Sequence, residues 1–83
     1  MSKKDKLIAR FRTIPSDFTW DEMKKLLALF GYEDEEGSGS RVHFMDAAEN
    51  KISLHRPHPG SIVKQYVLRQ VNDHLMEHDK YGR

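Results

Sequence analysis

The chain has 83 residues and no cysteine, so disulfide bonds and thiolate metal sites are excluded. A chain without disulfides suits a reducing compartment, and we expect a cytoplasmic protein. The N-terminal segment lacks the long apolar run of a secretory signal. No stretch approaches the roughly 20 apolar residues that a membrane span needs, so we expect no membrane association.

A strong net charge is also missing. The formal net charge is +1, which by itself favours no charged partner. The charges are unevenly placed, however, because residues 33–36 read Glu-Asp-Glu-Glu, whereas residues 37–70 carry five Lys or Arg and three His against two acidic residues. A local basic surface of this kind attracts phosphate groups.

The small size limits what the fold can enclose. We expect one domain over residues 1–83, with a thin two-layer core and no closed substrate chamber. Any chemistry should therefore lie on an open face or in a shallow groove.

Apolar residues at helical spacing predict a short helix over residues 3–12, with Leu7, Ile8 and Phe11 on its inner side. It should end before Pro15, because the residue before a proline is disfavoured in the helical region. A second helix is indicated by a capping box from Thr19 to Glu22, and it should stop at a glycine. Its predicted buried residues are Met23, Leu26, Leu27 and Phe30.

The last helix is predicted to open at Gly60 and Ser61, and residues 77–83 to fray. Tyr66 and Leu68 should only flank its buried stripe. That stripe is expected to consist of Val63, Val67, Val71 and Leu75.

Between the second and third helices, residues 32–36 form a poor strand by propensity, suited to a ragged edge. Residues 40–45 and 51–55 alternate between apolar and polar side chains, which predicts a hairpin with a loop over 46–50. The apolar face of these two strands comprises Val42, Phe44, Ile52 and Leu54.

Pairing residue 45 with residue 51 satisfies both patterns. The same register places Arg41 opposite His55 and His43 opposite Ser53 on the outer face. Directly opposed residues have Cβ atoms about 4.5–5.5 Å apart, so these four side chains should form one exposed cluster. The whole chain then reads as an α+β fold in the order α-β-β-β-α, with an extra short N-terminal helix and both later helices on one sheet face.

The hairpin leads into a stiff corner, His55-Arg-Pro-His-Pro-Gly60, which contains two of the three prolines. Arg56 and His58 both precede proline and are therefore biased to extended conformations. An extended polyproline-like segment repeats about every three residues, which places His55 and His58 on the same side. The free amides at the start of the following helix should lie near His58 and offer a seat for phosphate.

Two short motifs carry a family resemblance. Gly39-Ser-Arg-Val-His-Phe44 and Arg56-Pro-His-Pro-Gly60, with the order of elements over residues 18–76, resemble the HicA toxins of toxin–antitoxin systems. The resemblance implies a double-stranded-RNA-binding-domain-like fold and a ribosome-independent mRNA interferase that a HicB antitoxin neutralises. It carries over Ser40 and the corner residues His58, Pro59 and Gly60.

The chain departs from the family pattern directly after Gly-Ser. Typical members have a histidine there, which is regarded as catalytic, whereas this chain has Arg41. Arginine stays protonated, so it can hold phosphate but cannot exchange protons near neutral pH. Metal-free RNA cleavage needs proton transfer, for which His55 and His43 are the nearest candidates.

We therefore expect His55 and His43 to be catalytic, with no cofactor or metal ion. A zinc site at His74 and His78 is disfavoured because no cysteine or paired carboxylate set accompanies them. The expected RNA-binding residues are Ser40, Arg41, Arg56, His58, Gly60, Ser61 and Lys64.

Three classes of function remain open from the sequence. The first is a HicA-like ribonuclease toxin with mRNA and a HicB-type antitoxin as partners. The second is an RNA-binding module of the same fold in which Arg41 has replaced the chemistry, which predicts salt-dependent binding without cleavage. The third is a protein-interaction domain that uses the same open face for an acidic partner.

Overall fold

The computed structural model describes residues 3–36, 41–57 and 60–81. None of the helices in these ranges is long and apolar enough to cross a membrane. The chain folds as an α+β protein in the order α-β-β-β-α with an additional N-terminal helix, consistent with the predicted double-stranded-RNA-binding-domain-like fold. The elements are α1 (Lys3–Arg12), α2 (Trp20–Leu29), β1 (Glu33–Glu36), β2 (Arg41–Met45), β3 (Lys51–His55) and α3 (Gln65–Glu77).

The three strands form an antiparallel sheet in the order β1-β2-β3. The predicted hairpin register is confirmed, because Met45 pairs with Lys51 and Arg41 pairs with His55. The acidic segment 33–36 is the edge strand β1, as expected. A row of opposed residues thereby runs across the outer face from β1 to β3.

One face of the sheet carries the hydrophobic core. The inward residues of β2 and β3 are at most 7% exposed, and α2 and α3 cover them with their own apolar sides. Trp20 at the start of α2 meets Phe44 of β2 edge-on, with ring centroids 5.9 Å apart. The largest fully buried side chains are Phe11, Phe18, Phe44, Met23, Leu26, Leu27, Leu68, Leu75, Val42 and Val71.

The capping box of α2 is confirmed. The Glu22 amide donates to Thr19 Oγ1 at 3.2 Å, and the Thr19 amide donates to Glu22 Oε1 at 3.0 Å. Gly31 follows the helix with φ of +87°, a left-handed conformation that glycine adopts without steric cost. The chain can therefore turn directly into β1.

The start of α3 differs from the prediction. The helix begins at Gln65 rather than at Gly60 and Ser61. The residues between are extended, because the Trp20 amide donates to the Ser61 carbonyl at 2.7 Å and the Val63 amide donates to the Phe18 carbonyl at 2.8 Å. These hydrogen bonds join the segment to the residues at the start of α2. The Ser61 carbonyl and the Val63 amide are thus used outside α3.

The later start also changes which side of α3 is buried. Val63 is buried, but it lies before the helix, and Val67 is only half-buried. Leu68, predicted to flank the stripe, is fully buried, while Tyr66 is 64% exposed. The inward positions of α3 are therefore Leu68, Val71 and Leu75.

Near the C-terminus, Lys80 and Tyr81 are half-buried and packed rather than frayed, whereas His78 and Asp79 are exposed. Tyr81 meets Phe30 edge-on with ring centroids 5.6 Å apart, and the Arg12 guanidinium lies 4.2 Å from the centre of the Tyr81 ring. Burial raises the pKa of Tyr81 to about 12. The expectation of fraying is wrong for Lys80 and Tyr81, because Tyr81 packs against Phe30 and Arg12 and Lys80 pairs with Asp46.

Candidate functional site

Two polar pairs lie on the outer face of the hairpin, as the register predicts. Arg41 Nη2 lies 3.2 Å from His55 Nε2. His43 Nδ1 lies 2.6 Å from Ser53 Oγ. We refer to these four residues as the outer-face cluster.

The two pairs of the cluster differ in their exposure. Arg41 and His55 are exposed, whereas His43 and Ser53 are half-buried. The prediction of one exposed cluster therefore holds fully only for the first pair. His43 is flanked on its other side by Glu35, its partner in the pairing of β1 with β2, so it lies in the interior of the sheet rather than near its end.

The contact between Arg41 and His55 fixes the role of one ring nitrogen. A guanidinium has donors and no acceptor, so His55 Nε2 must accept the hydrogen bond. An accepting ring nitrogen carries no proton, so this contact requires the tautomer that has its N–H on Nδ1. A basic lone pair is thus held beside a permanent positive charge.

The contact between His43 and Ser53 orients the second imidazole. The serine hydroxyl either donates to Nδ1 or accepts from it, and both arrangements hold the ring at the same 2.6 Å distance. The ring's Nε2 then lies on the side away from Ser53. Arg41 and His43 are two residues apart on β2, which corresponds to about 6–7 Å along the strand.

A cavity of about 290 Å³ lies where β3 ends and the segment leading to α3 begins. It brings together four of the predicted site residues, namely His55, Arg56, Gly60 and Lys64. Since His55 also contacts Arg41, the cavity adjoins the exposed pair of the outer-face cluster. We refer to it as the corner cavity.

Of the other predicted RNA-binding residues that the structure describes, Ser61 does not line the corner cavity. Ser61 is exposed, and its carbonyl accepts from the Trp20 amide. Ser40 and His58 lie outside the described residues. The expected helix start at Gly60 and Ser61 is wrong, because the helix begins only at Gln65, so the amides of Gly60 and Ser61 are not those of a helix terminus. Lys64 occupies the N-cap of α3 and makes no side-chain capping bond there.

Sequence reasoning missed the apolar part of the corner cavity. Tyr66, Ile62 and Val67 line it together with the basic residues. The shifted start of α3 is the reason, because it turns Tyr66 outward. A helix period counted from Leu68 instead of Val63 would have indicated this orientation.

His74 and His78 lie close together on α3, with ring centroids 4.4 Å apart. His74 Nε2, however, is 2.8 Å from the Tyr32 hydroxyl, which occupies that nitrogen. Burial, reinforced by the neighbouring His78, lowers the pKa of His74. The described part of the chain contains no group of three or more His, Cys, Asp or Glu side chains that could hold a metal ion.

Comparison with known proteins identifies the family. Searches of curated proteins and of solved structures returned no match. A family model described as HicA toxin of bacterial toxin-antitoxin matches residues 20–78, which is more than half of the chain and covers α2, the sheet and α3. The chain therefore belongs to the HicA toxin family of bacterial toxin–antitoxin systems.

Proposed function

We propose that this HicA-family toxin is a ribosome-independent mRNA endoribonuclease that a HicB-type antitoxin neutralises. The observation that carries the proposal is the contact between Arg41 and His55, which sets a phosphate-binding cation beside an unprotonated ring nitrogen on an exposed face. In this proposal Arg41 holds the scissile phosphate, and His55 and His43 transfer protons. The RNA-binding residues are Ser40, Arg41, Arg56, His58, Gly60, Ser61 and Lys64.

The reaction proceeds through the ribose 2′-hydroxyl. Its oxygen attacks the neighbouring phosphorus, a 2′,3′-cyclic phosphate forms, and the bond to the 5′-oxygen breaks. A base must take the 2′-hydroxyl proton, and an acid must give a proton to the departing 5′-oxygen. Histidine serves both steps because its ordinary pKa is near 6.5.

Phosphate binding itself prepares the base. Arginine binds phosphate through paired, charge-assisted hydrogen bonds that are stronger than a bond to a neutral ring. An incoming phosphate therefore replaces His55 as the acceptor for Arg41, and the lone pair of His55 Nε2 becomes available for the 2′-hydroxyl. His43, on the same face, supplies the second proton-transfer group.

Binding without cleavage is the second candidate function. It is favoured by Arg41 itself, because the resemblance places a catalytic histidine at that position and the guanidinium occupies the lone pair of His55. If phosphate does not displace this contact, the protein holds RNA and leaves it intact.

Cleavage of a labelled RNA by the purified protein in the presence of EDTA tests the proposal. We expect cleavage that survives the chelator and falls by about 100- to 10,000-fold in His55→Ala, the typical loss of a proton-transfer group. His43→Ala is assayed beside it. Full activity in both variants contradicts the assignment of the catalytic residues, and intact RNA with the parent protein favours the second candidate.

The salt dependence of RNA binding tests Arg41 under either candidate. Loss of one phosphate contact should weaken binding and reduce the slope of log K against log salt by about 1. Arg69→Ala is the matched control, since Arg69 is an exposed arginine on α3 that does not line the corner cavity. An equal effect of both substitutions would mean that Arg41 contributes only general charge.

A further inference from the structure

Exposed apolar side chains are concentrated at the corner cavity. Among the described residues, three large apolar side chains are exposed, namely Ile62 at 45%, Tyr66 at 64% and Met76 at 56%. Ile62 and Tyr66 both line the cavity. An exposed aromatic ring in a concave site offers a surface on which a flat apolar ligand can stack, whereas a single exposed methionine on a helix needs no explanation.

We propose that the corner cavity holds one unpaired base of a single-stranded RNA, stacked on the ring of Tyr66. Arg56 and Lys64 contact the phosphates on either side of this base. The inference rests on the proposed function, since it names the form of RNA that the same surface binds.

The lining of the cavity combines the two features that single-stranded nucleic acid requires. Ile62 and Val67 supply apolar contacts beside the Tyr66 ring, and Lys64 and Arg56 supply positive charge. None of the described residues that line the cavity is acidic. Proteins that bind single strands pair a positively charged groove with aromatic side chains in this way.

The volume favours a small occupant. About 290 Å³ lies just below the usual range for small-ligand sites, which is roughly 300–1,000 Å³. A base within a duplex is stacked on its neighbours and cannot enter, so the base must come from an unpaired segment.

The position of the cavity connects it to the cleavage chemistry. His55 lines the cavity and also contacts Arg41, so a base held by Tyr66 lies next to the phosphate that Arg41 binds. Stacking would then fix which phosphate of the strand reaches the outer-face cluster.

The test measures binding of a short RNA whose 2′-hydroxyls are all methylated, because methylation removes the nucleophile and keeps the strand intact. We expect Tyr66→Ala to bind roughly 5- to 150-fold more weakly, the range for loss of one stacked base. Tyr66→Trp keeps a stacking surface and should retain the affinity. Met76→Ala is the matched control, an equally exposed side chain about 15 Å further along the same helix, and should bind like the parent.

Binding of a second oligonucleotide, with the same sugar-phosphate backbone but without bases, separates the contribution of stacking from that of charge. The parent and Tyr66→Ala should bind this strand equally. A loss in Tyr66→Ala that persists on the abasic strand overturns the base assignment, and so does an RNA affinity that Tyr66→Ala leaves unchanged. Weakened capture of the antitoxin with unchanged RNA affinity overturns it as well and makes the cavity a protein-docking surface.

The outcome for the parent protein distinguishes the two proposals. If the parent binds neither the methylated RNA nor the abasic oligonucleotide, the proposed function itself fails. If the parent binds RNA and Tyr66→Ala does so equally well, only the assignment of the corner cavity fails.

Discussion

Both ends of the hairpin formed by β2 and β3 have a polar pair, but in opposite settings. At the open end, Arg41 and His55 are exposed and contact each other. At the closed end, beside the loop over 46–50, the Asp46 side chain is only 3% exposed and that of Lys80 is 19% exposed. Charged residues thus occur at both ends, but Asp46 and Lys80 form an inward pair whereas Arg41 and His55 face solvent.

At the closed end, the Asp46 carboxylate is engaged by hydrogen-bond donors from within the protein. Asp46 accepts bonds from the Ala48 amide at 3.0 Å, from the Asn50 amide at 2.8 Å and from Asn50 Nδ2 at 3.0 Å, and it also pairs with the Lys80 ammonium group. The same ammonium group lies 5.1 Å from the centre of the Tyr32 ring. Among the described residues, no buried side-chain nitrogen or oxygen lacks a partner.

The comparison separates a stabilising role from a binding role. A carboxylate surrounded by donors inside the protein has no capacity left for a ligand, and its removal leaves those donors without an acceptor. An arginine that meets a neutral ring in solvent can exchange this contact for a phosphate at little cost. We therefore expect substitutions at the closed end to change stability, and substitutions at the open end to change RNA binding.

The largest effect on stability is expected from Asp46→Ala. The change removes the acceptor for two amides, a side-chain amide and the Lys80 ammonium group at once. Urea unfolding should show a larger fall in the midpoint than any other single change discussed below. Arg41→Ala is the control at the open end, where a surface substitution should stay within about 0.5 kcal/mol of the parent.

The dependence of stability on acidic pH should also report the interaction between Asp46 and Lys80. The bond with Lys80 is the main cause that holds the pKa of Asp46 well below its usual range. A depressed folded-state pKa contributes stability above the unfolded pKa of about 3.9, and this contribution is lost as the pH falls below that value. Asp46→Asn should therefore show a flatter dependence of stability on pH than the parent below about pH 4. Equal slopes would mean that the pair adds no stability.

Much of this contrast could be predicted from the sequence, but only for the open end. The alternation of Val42 to Phe44 and Ile52 to Leu54 fixes the register, because a slip by one residue would expose the whole apolar face. The register alone then places Arg41 beside His55. Local patterns are sufficient where both partners belong to one hairpin.

The closed end and the corner cavity could not be predicted, because their partners are distant along the chain. Asp46 meets Lys80, thirty-four residues later, and the pattern near Lys80 suggests only a polar terminus. The start of α3 is set by backbone bonds between Val63 and Phe18, which propensity does not report. The exposed position of Tyr66 follows from that start, so the aromatic wall of the cavity was missed with it.

A smaller loss of stability is expected from Tyr32→Phe. The substitution keeps the buried ring and removes the hydroxyl that lies 2.8 Å from His74 Nε2. A lost hydrogen bond of this kind costs about 1 kcal/mol in the free energy of unfolding. Tyr66→Phe is the matched control, since that hydroxyl belongs to an exposed side chain on α3 and its loss should leave stability unchanged. Equal effects of the two changes would show that the contact between Tyr32 and His74 contributes nothing.

The smallest expected effect is a dependence of stability on pH through His74. Burial, with the charge of His78 as the second cause, lowers the pKa of His74, while Glu77 and Asp46 oppose the shift and Lys80 adds to it. The folded-state pKa of this histidine lies below its unfolded value of about 6.5. As the pH falls, the unfolded chain therefore takes up the proton before the folded protein does, and this favours unfolding. The free energy of unfolding should therefore fall as the pH drops from about 7.5 to 5.5.

Two variants separate the effect of His74 from that of the other histidines. Each variant is compared with the parent over the same pH range, so that contributions common to both proteins cancel. His74→Gln removes the titrating group and should flatten the curve. His78→Ala removes only the second cause of the shift, so it should reduce the slope without abolishing it. A curve for His74→Gln that stays parallel to that of the parent would mean that His74 contributes nothing to the pH dependence of stability.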